Sequence, residues 1–375
     1  MISKPIQGTQ FWNELNPEIT NGGGVGHFND GDLQYAAMNA SVKMRTIVRT
    51  REELFEDTID RENGRFKVAI NGNWYGLDLA GKMDALSGHD PVEATHTSPE
   101  GQVISNGRIV TGTPEPDKFY VAYSDIVEGA SNPADSYRFG FGNPPGTSLA
   151  AMGGLGPVII GKLKYGTRNL YRSGCPSGAP ATGQPGSAYA GYLIQRSNFT
   201  YTSFLGLGQT TGKIAVALCR SAQKILVLVQ PNGSSNGITL DTLRDKLAGV
   251  GVDDAVFLDG SDSVMLVING TWHIRPGENK SETNTTGLGF FHTYTVTYNG
   301  NGISSRAVPT DGNNYEQGDL VTVRGNAEAL SRLMSGSTFA GWNTVANGSG
   351  KRYTIGDTFT MGASNLTLFA QWKSD

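Results

Sequence analysis

The chain has 375 residues, a formal net charge of -4 and charged residues at 17%. That length allows one large core with room for a small second domain, and that charge leaves no electrostatic footprint for nucleic acid. The 51 glycines follow no triplet period and alternate with apolar runs, which excludes collagen and disorder and points to a strand-rich, loop-rich globular protein.

Residues 1–40 are polar and glycine-rich without clear periodicity, and read as an extended N-terminal arm. The first 17 lack the apolar core of a signal peptide, which leaves a removed leader, another export route or no export all open. No run approaches the roughly 20 apolar residues that span a bilayer. Thr50 with Glu53 makes a capping-box pattern opening a helix over 51–60. Residues 66–70 then read as a strand running into Asn71-Gly72-Asn73-Trp74. Short strands separated by Pro/Gly loops fill 77–150, and 155–164 contains the apolar strand PVIIG. A small-residue loop follows over 173–191, of the length at which loops are functional lids or disordered. Cys175 and Cys219 do not define a compartment, and free thiols are expected over a disulfide. His89 and His96 lack helical zinc spacing. GLGQTTGKI over 206–214 departs from a phosphate-binding loop, because Ile214 stands where a hydroxyl is required.

Residues 213–218 and 225–230 predict a strand pair. Thr239 then reads as a helix N-cap, Leu240, Leu243 and Leu247 fall at helical spacing, and Gly249 and Gly251 supply the stop. A second apolar run ends abruptly at Asp259-Gly260. An aspartate at the carboxyl end of a buried strand, followed by glycine, presents a carboxylate at a cleft. Strand, helix and strand make a crossover unit with its acid at the open end.

Composition shifts near Phe291. From Tyr294 onward short alternating strands are broken by Gly/Asn turns, with Trp342 and Trp372 as apolar anchors. The expected class is α+β: a mixed β-sheet core with packed helices over 41–291, an arm over 1–40, and a small β-grasp-like module over 292–375.

Two stretches resemble known families. AGWNT, a Gly-Ser-Gly turn, a Gly-Asp turn and the closing NLTLFAQW resemble the Listeria–Bacteroides repeat, of the internalin B type, over nearly all of 294–372. That resemblance implies a surface-exposed or secreted module, occasionally a phage one, which binds a cell surface or another protein and carries no chemistry. The larger part resembles the phosphodiester glycosidase family, of the N-acetylglucosamine-1-phosphodiester alpha-N-acetylglucosaminidase type. The residues that carry this are VAINGNWYG with Asn71, Lys213 opening a strand where the family has Arg, Gly237-Ile238-Thr239 where it has Gly-Met-Thr, and LDGSDS over 258–263 where it has LDGGGS.

The resemblance implies a hydrolase acting on sugar-1-phosphodiester linkages in a glycan or surface polymer such as an exopolysaccharide. Such a site needs a cation for phosphate, a carboxylate near the anomeric carbon and donors for sugar hydroxyls. Asp259, Asn71 and Ser263 are the catalytic candidates, and Lys213, Arg275, Thr239 and Gly260 the substrate- and phosphate-binding ones. Asp262 is a candidate second carboxylate or, with Asp259, a ligand for a hard cation such as calcium; no other cofactor is expected. The plain alternatives are a turn cap for Asp259, a solvated strand flank for Lys213 and Arg275, and a simple turn for Asn71. Ser261 and Asp262 replace family glycines and lysine lacks arginine's fork. A catalytically inactive glycan-binding or structural protein of a surface or phage particle is therefore the alternative function.

Overall fold

The computed structural model describes residues 2–3, 8, 10–21, 23–49, 53–62, 64–77, 97–124, 132–166, 168–171, 185–188, 190–195, 209–277, 280–303, 308–325, 327–331 and 336–374. Thr50, His89, His96, Cys175 and most of the 173–191 loop lie outside these residues. The chain divides into two compact units, Met1–Phe291 and His292–Asp375. It is mixed α+β with strands predominating.

The first unit is built on two sheets. The larger runs in the order Ile2–Ser3, Gly26–Asp30, Leu33–Asn39, Lys224–Gln230, Lys213–Cys219, Asp254–Phe257, Ala150–Ile160, Phe119–Tyr123 and Tyr137–Phe141. The smaller orders Thr271–Ile274, Leu266–Ile268, Val68–Asn71, Thr286–Phe291 and Lys43–Val48. The central strands are apolar on both faces because both faces are covered. Ile225, Val227 and Val229 join one core cluster with Val68, Ile70 and Leu288 of the smaller sheet. Leu226 and Leu228 join another with Leu240, Leu243 and Leu247.

Those leucines form the buried stripe of the Leu240–Gly249 helix, which Thr239 caps by accepting from Thr242 N at 3.2 Å. Gly251, at φ +80°, ends it. The helix carries the chain over the Lys213–Cys219 strand, so Lys224–Gln230 and Asp254–Phe257 flank that strand on either side, each antiparallel to it.

Residues 1–40 are not an extended arm. Phe11, Trp12, Leu15 and Ile19 make the buried face of a helix, Phe11–Asn21, and Gly26–Asp30 pairs with Leu33–Asn39 as a hairpin extending the large sheet. The glycines that hide this pattern are its punctuation: Gly24 at φ +97° donates its N–H to Ile19 O at 3.0 Å, closing the helix. The expected helix over 51–60 is likewise shorter, Phe55–Asp60, with Leu54 at its N-cap and no side-chain cap. Glu53 instead takes Arg61 at 2.6 Å and the Thr58 hydroxyl at 3.0 Å.

In the second unit Val296–Asn299 runs parallel to Leu366–Ser374, which pairs antiparallel with Ser337–Asn343. The AGWNT run has a physical reason. Gly341 sits at φ +129°, where a Cβ would stand 2.9 Å from Tyr353 O. Trp342 is fully buried, and its Nε1 donates to Arg324 O at 3.1 Å. Asn343 fixes the following turn, donating to Gly348 O and Gly350 O and accepting from Val345 N and Gly350 N. Trp372 is only partly buried, against Phe339.

Candidate active site

Asp259 stands where the large sheet's central ladder ends. Leu258 N donates to Ile214 O at 3.0 Å, the last regular rung. Beyond it the chain bulges: Ser261 N, not Gly260 N, reaches Gly212 O at 2.9 Å, with Ser261 at φ +55°. The family's glycine at this position thus corresponds to a left-handed backbone that serine adopts at a cost. A Cβ on Gly260 would lie 2.7 Å from Gly212 O, so that glycine serves close strand approach. A single 3₁₀ turn, Ser261–Ser263, completes the loop.

The smaller sheet holds this loop through Asn71. Asn71 Nδ2 donates to Asp259 O at 3.0 Å, and its Oδ1 accepts from Met265 N at 2.9 Å. Its amide ties the Asp259 and Met265 segments to the end of the Val68–Asn71 strand. Asp259 N donates to Gly72 O at 3.0 Å. Gly72 is required there, since a Cβ would meet Thr286 Oγ1 at 2.5 Å and Met152 Cε at 2.7 Å. Asn73 clamps the next layer, donating to Glu100 O and Gly101 O and accepting from Thr286 Oγ1 at 2.7 Å.

Burial pushes the Asp259 carboxyl up to about 7; the Ser263 hydrogen bond and the Lys280 charge oppose the rise, and Asp262 adds to it. Lys213 opens its strand and pairs with Gln230 across one ladder. Across the other, the Leu258–Ile214 rung is the last regular one, and Lys213 and Asp259 are the residues next to it on their two strands. Its Nζ donates to Thr211 O at 2.7 Å, and burial lowers its pKa to about 8. Asp262 lies 3.5 Å from Lys280 Nζ, and its carbonyl accepts from Gly277 N at 2.7 Å.

The structure therefore gathers Asp259, Ser263, Gly260, Asn71, Asp262 and Lys213 at one end of the sheet. It does not bring in the other two candidates. Arg275 is ion-paired to Glu56 and lies over the Trp272 ring at 4.7 Å, on an exposed strand end. Thr239 spends its hydroxyl capping its helix. Lys280 is signalled by no motif; it opens a four-residue helix, Lys280–Thr283, that a short polar run does not announce. That helix is docked by Arg49, which donates to Glu282 O, and by Asn284, which donates to Ser263 O at 3.2 Å. The donor set fits calcium poorly. Among the described residues no three His, Cys, Asp or Glu side chains converge, and Asp262 already faces a lysine, whereas calcium takes six to eight oxygens, at about 2.3–2.6 Å.

A fold of this kind, with a strand-end aspartate, a basic strand opening and an Asn-Gly wedge, matches the phosphodiester glycosidase family model over residues 67–291. The chain belongs to the phosphodiester glycosidase family. Residues 294–371 match the Listeria-Bacteroides repeat domain. Among solved structures, the chain is similar to the catalytic domain of zebrafish N-acetylglucosamine-1-phosphodiester alpha-N-acetylglucosaminidase, auto-inhibited by its pro-peptide. That likeness has 15% identity and a TM-score of 0.44, covering 72% of this chain and 81% of the other. A hypothetical protein from Synechocystis gives 12% and 0.37, over 71% and 63%. Two Evansella cellulosilytica proteins, named as a candidate membrane protein and a candidate Gly-rich membrane protein, are 44% identical over 84 residues and 39% over 79. The matches cover 20% and 19% of this chain, and only 12% and 9% of those relatives' length. Among the described residues no helix is long and apolar enough to cross a membrane.

Proposed function

We propose that the Met1–Phe291 unit hydrolyses sugar-1-phosphodiester linkages in a glycan or surface polymer. The observation that carries this reading is Asp259: a carboxyl held near neutrality at a strand end, hydrogen-bonded to Ser263 and within the field of Lys280, in a chain of the phosphodiester glycosidase family. The ionised Asp259 takes a proton from water, and the water oxygen attacks the anomeric carbon. The bond from that carbon to the phosphate oxygen breaks, and the phosphate monoester leaves with the electron pair on the other component. Such a leaving group needs little general-acid help. Lys213 and Lys280 supply positive charge for the phosphate, and Ser263 orients the carboxylate. Asn71 sets the loop's position without touching substrate.

The His292–Asp375 unit, as a Listeria–Bacteroides repeat, attaches the enzyme to a cell surface or another protein. The relatives named for a membrane location favour an extracellular or cell-surface setting.

One observation favours a non-hydrolytic glycan binder instead: Asp262, where the family has glycine, sets a carboxylate on Lys280. Release of reducing sugar from a panel of sugar-1-phosphodiesters, with and without chelator, separates the two. Turnover supports the hydrolase. Binding of the same diesters without turnover by folded protein supports the binder.

A further inference from the structure

A second polar site lies at the same end of the large sheet. An open, solvent-facing hollow of about 300 Å³ is lined by Asn29, Asp32 and Gln34 from the first hairpin and by Asn232, Ser234 and Ser235 from the loop after the Lys224–Gln230 strand. Its size falls at the lower end of the range for ligand pockets, about 300–1,000 Å³.

The walls are fixed by hydrogen bonds. Asp32 N donates to Asn236 O at 3.2 Å and Asn236 N to Asp32 Oδ2 at 2.7 Å, locking hairpin to loop. Gly31, at φ +66°, allows that approach, since a Cβ there would stand 2.4 Å from Asn236 O. Gly233 N donates to Thr210 O at 2.8 Å, and Ser234 Oγ to Pro231 O at 2.7 Å. Gln34 Oε1 is held 3.1 Å from His27 Nε2, and the His27 ring packs edge-on against His273 at 4.4 Å. Asn232 Oδ1 accepts from Gly212 N at 3.1 Å, the same Gly212 whose carbonyl holds Ser261.

Among the described residues, Asp32 Oδ1 and the Asn232 amide nitrogen take no protein partner, so a carboxylate acceptor and an amide donor remain for a ligand. No lysine or arginine lines the hollow, and the one charge is negative, which disfavours phosphate and favours neutral hydroxyls. Its place in the ladder is also set. Gln34 pairs with Val229, Val229 with Ile214, and Ile214 with Leu258, the neighbour of Asp259. Three strand spacings make about 14 Å, a distance that a short run of sugar units spans.

We propose that this hollow is a subsite for a neutral sugar unit of an oligosaccharide or polymer whose phosphodiester linkage lies at Asp259. The substrate class this names is an extended glycan rather than a single sugar-1-phosphodiester, and it rests on the hydrolase reading above. The test is calorimetric titration of neutral gluco-, galacto- and manno-tetrasaccharides into the full chain and into Asp32→Ala, Gln34→Ala and Ser235→Trp variants, each shown folded by its melting temperature. Ser235 is exposed, so its replacement by tryptophan blocks the hollow without disturbing the core. Saturable binding of at least one tetrasaccharide is expected, weakened at least tenfold by Asp32→Ala, because a hydrogen bond to a charged carboxylate is among the stronger ones a sugar hydroxyl makes. Loss of binding in Ser235→Trp is expected as well. No saturable binding across the panel, or binding unchanged in all three variants, overturns the subsite. Phosphodiester turnover without tetrasaccharide binding removes the subsite alone. Tetrasaccharide binding that the variants abolish, without turnover of any diester, removes the hydrolase reading alone.

Discussion

Lys213 and Asp259 flank the last regular rung of the sheet's central ladder, the Leu258–Ile214 hydrogen bond, each next in sequence to one of its partners. Burial brings their two pKa values together: the carboxyl rises to about 7 and the ammonium falls to about 8. A general base must be ionised and a phosphate-binding lysine charged, so the two conditions overlap only in a narrow window. The rate of sugar release should follow a bell with macroscopic limbs near those values. Lys213→Arg keeps its charge at high pH and should remove the alkaline limb while leaving the acid limb in place. A stopped assay from acid to alkaline pH reads both.

The acid limb should move with Asp259's charged neighbours. Asp262 raises the Asp259 pKa and Lys280 lowers it. Asp262→Asn should therefore shift the limb to lower pH, and Lys280→Met should shift it to higher pH. Opposite displacements in paired pH–rate profiles are the expected result; equal displacements would remove both residues from the site's electrostatics.

Asp259 also ties function to stability. Its folded pKa is raised above the ordinary carboxylate value, so the native state favours the protonated form. The stability it allows is fully present below about pH 4 and is lost as pH rises through about 7. A tenfold difference in proton affinity between the folded and unfolded chain is worth about 1.4 kcal/mol, so Asp259→Asn should stabilise the protein by about 2–4 kcal/mol at about pH 8 and by little at about pH 4. Denaturant unfolding at the two pH values measures the difference.

Ser261 holds a left-handed backbone at φ +55°. Ser261→Gly relieves that conformation and should stabilise the Met1–Phe291 unit by about 1 kcal/mol. A rise in the chemical-denaturation midpoint without change in slope is the expected signature.

Trp342 is the fully buried centre of the second unit. Trp342→Ala should cost about 3–5 kcal/mol, a large share of what a module of this size holds. Calorimetry should lose the transition of the His292–Asp375 unit and retain that of Met1–Phe291.

Periodicity makes much of this fold readable. Leu240, Leu243 and Leu247 announce their helix, the apolar run over 225–230 announces a strand buried on both faces, and an abrupt end at Asp259-Gly260 marks the site. The first forty residues mislead, because Gly23 and Gly24 interrupt the pattern at the point where Phe11, Trp12, Leu15 and Ile19 give way to strand. Side-chain commitments are less legible than elements. Thr239 and Arg275 carry suitable chemistry, but a helix cap and a Glu56 ion pair already hold them. Lys280 reaches the site through a tertiary contact to Asp262, and no local spacing encodes such a contact. Asn71 is legible by its strand-end position, yet its two backbone bonds to the Asp259 and Met265 segments depend on the meeting of two sheets.

The central claim is that Asp259 performs the chemistry. The most direct measurement is the rate of reducing-sugar release from the best sugar-1-phosphodiester substrate by wild type and by Asp259→Asn, with both proteins shown folded by circular dichroism. The variant should lose at least about a hundredfold in kcat, the lower end of general-base contributions, with the fold retained. Turnover within a few-fold of wild type would contradict it.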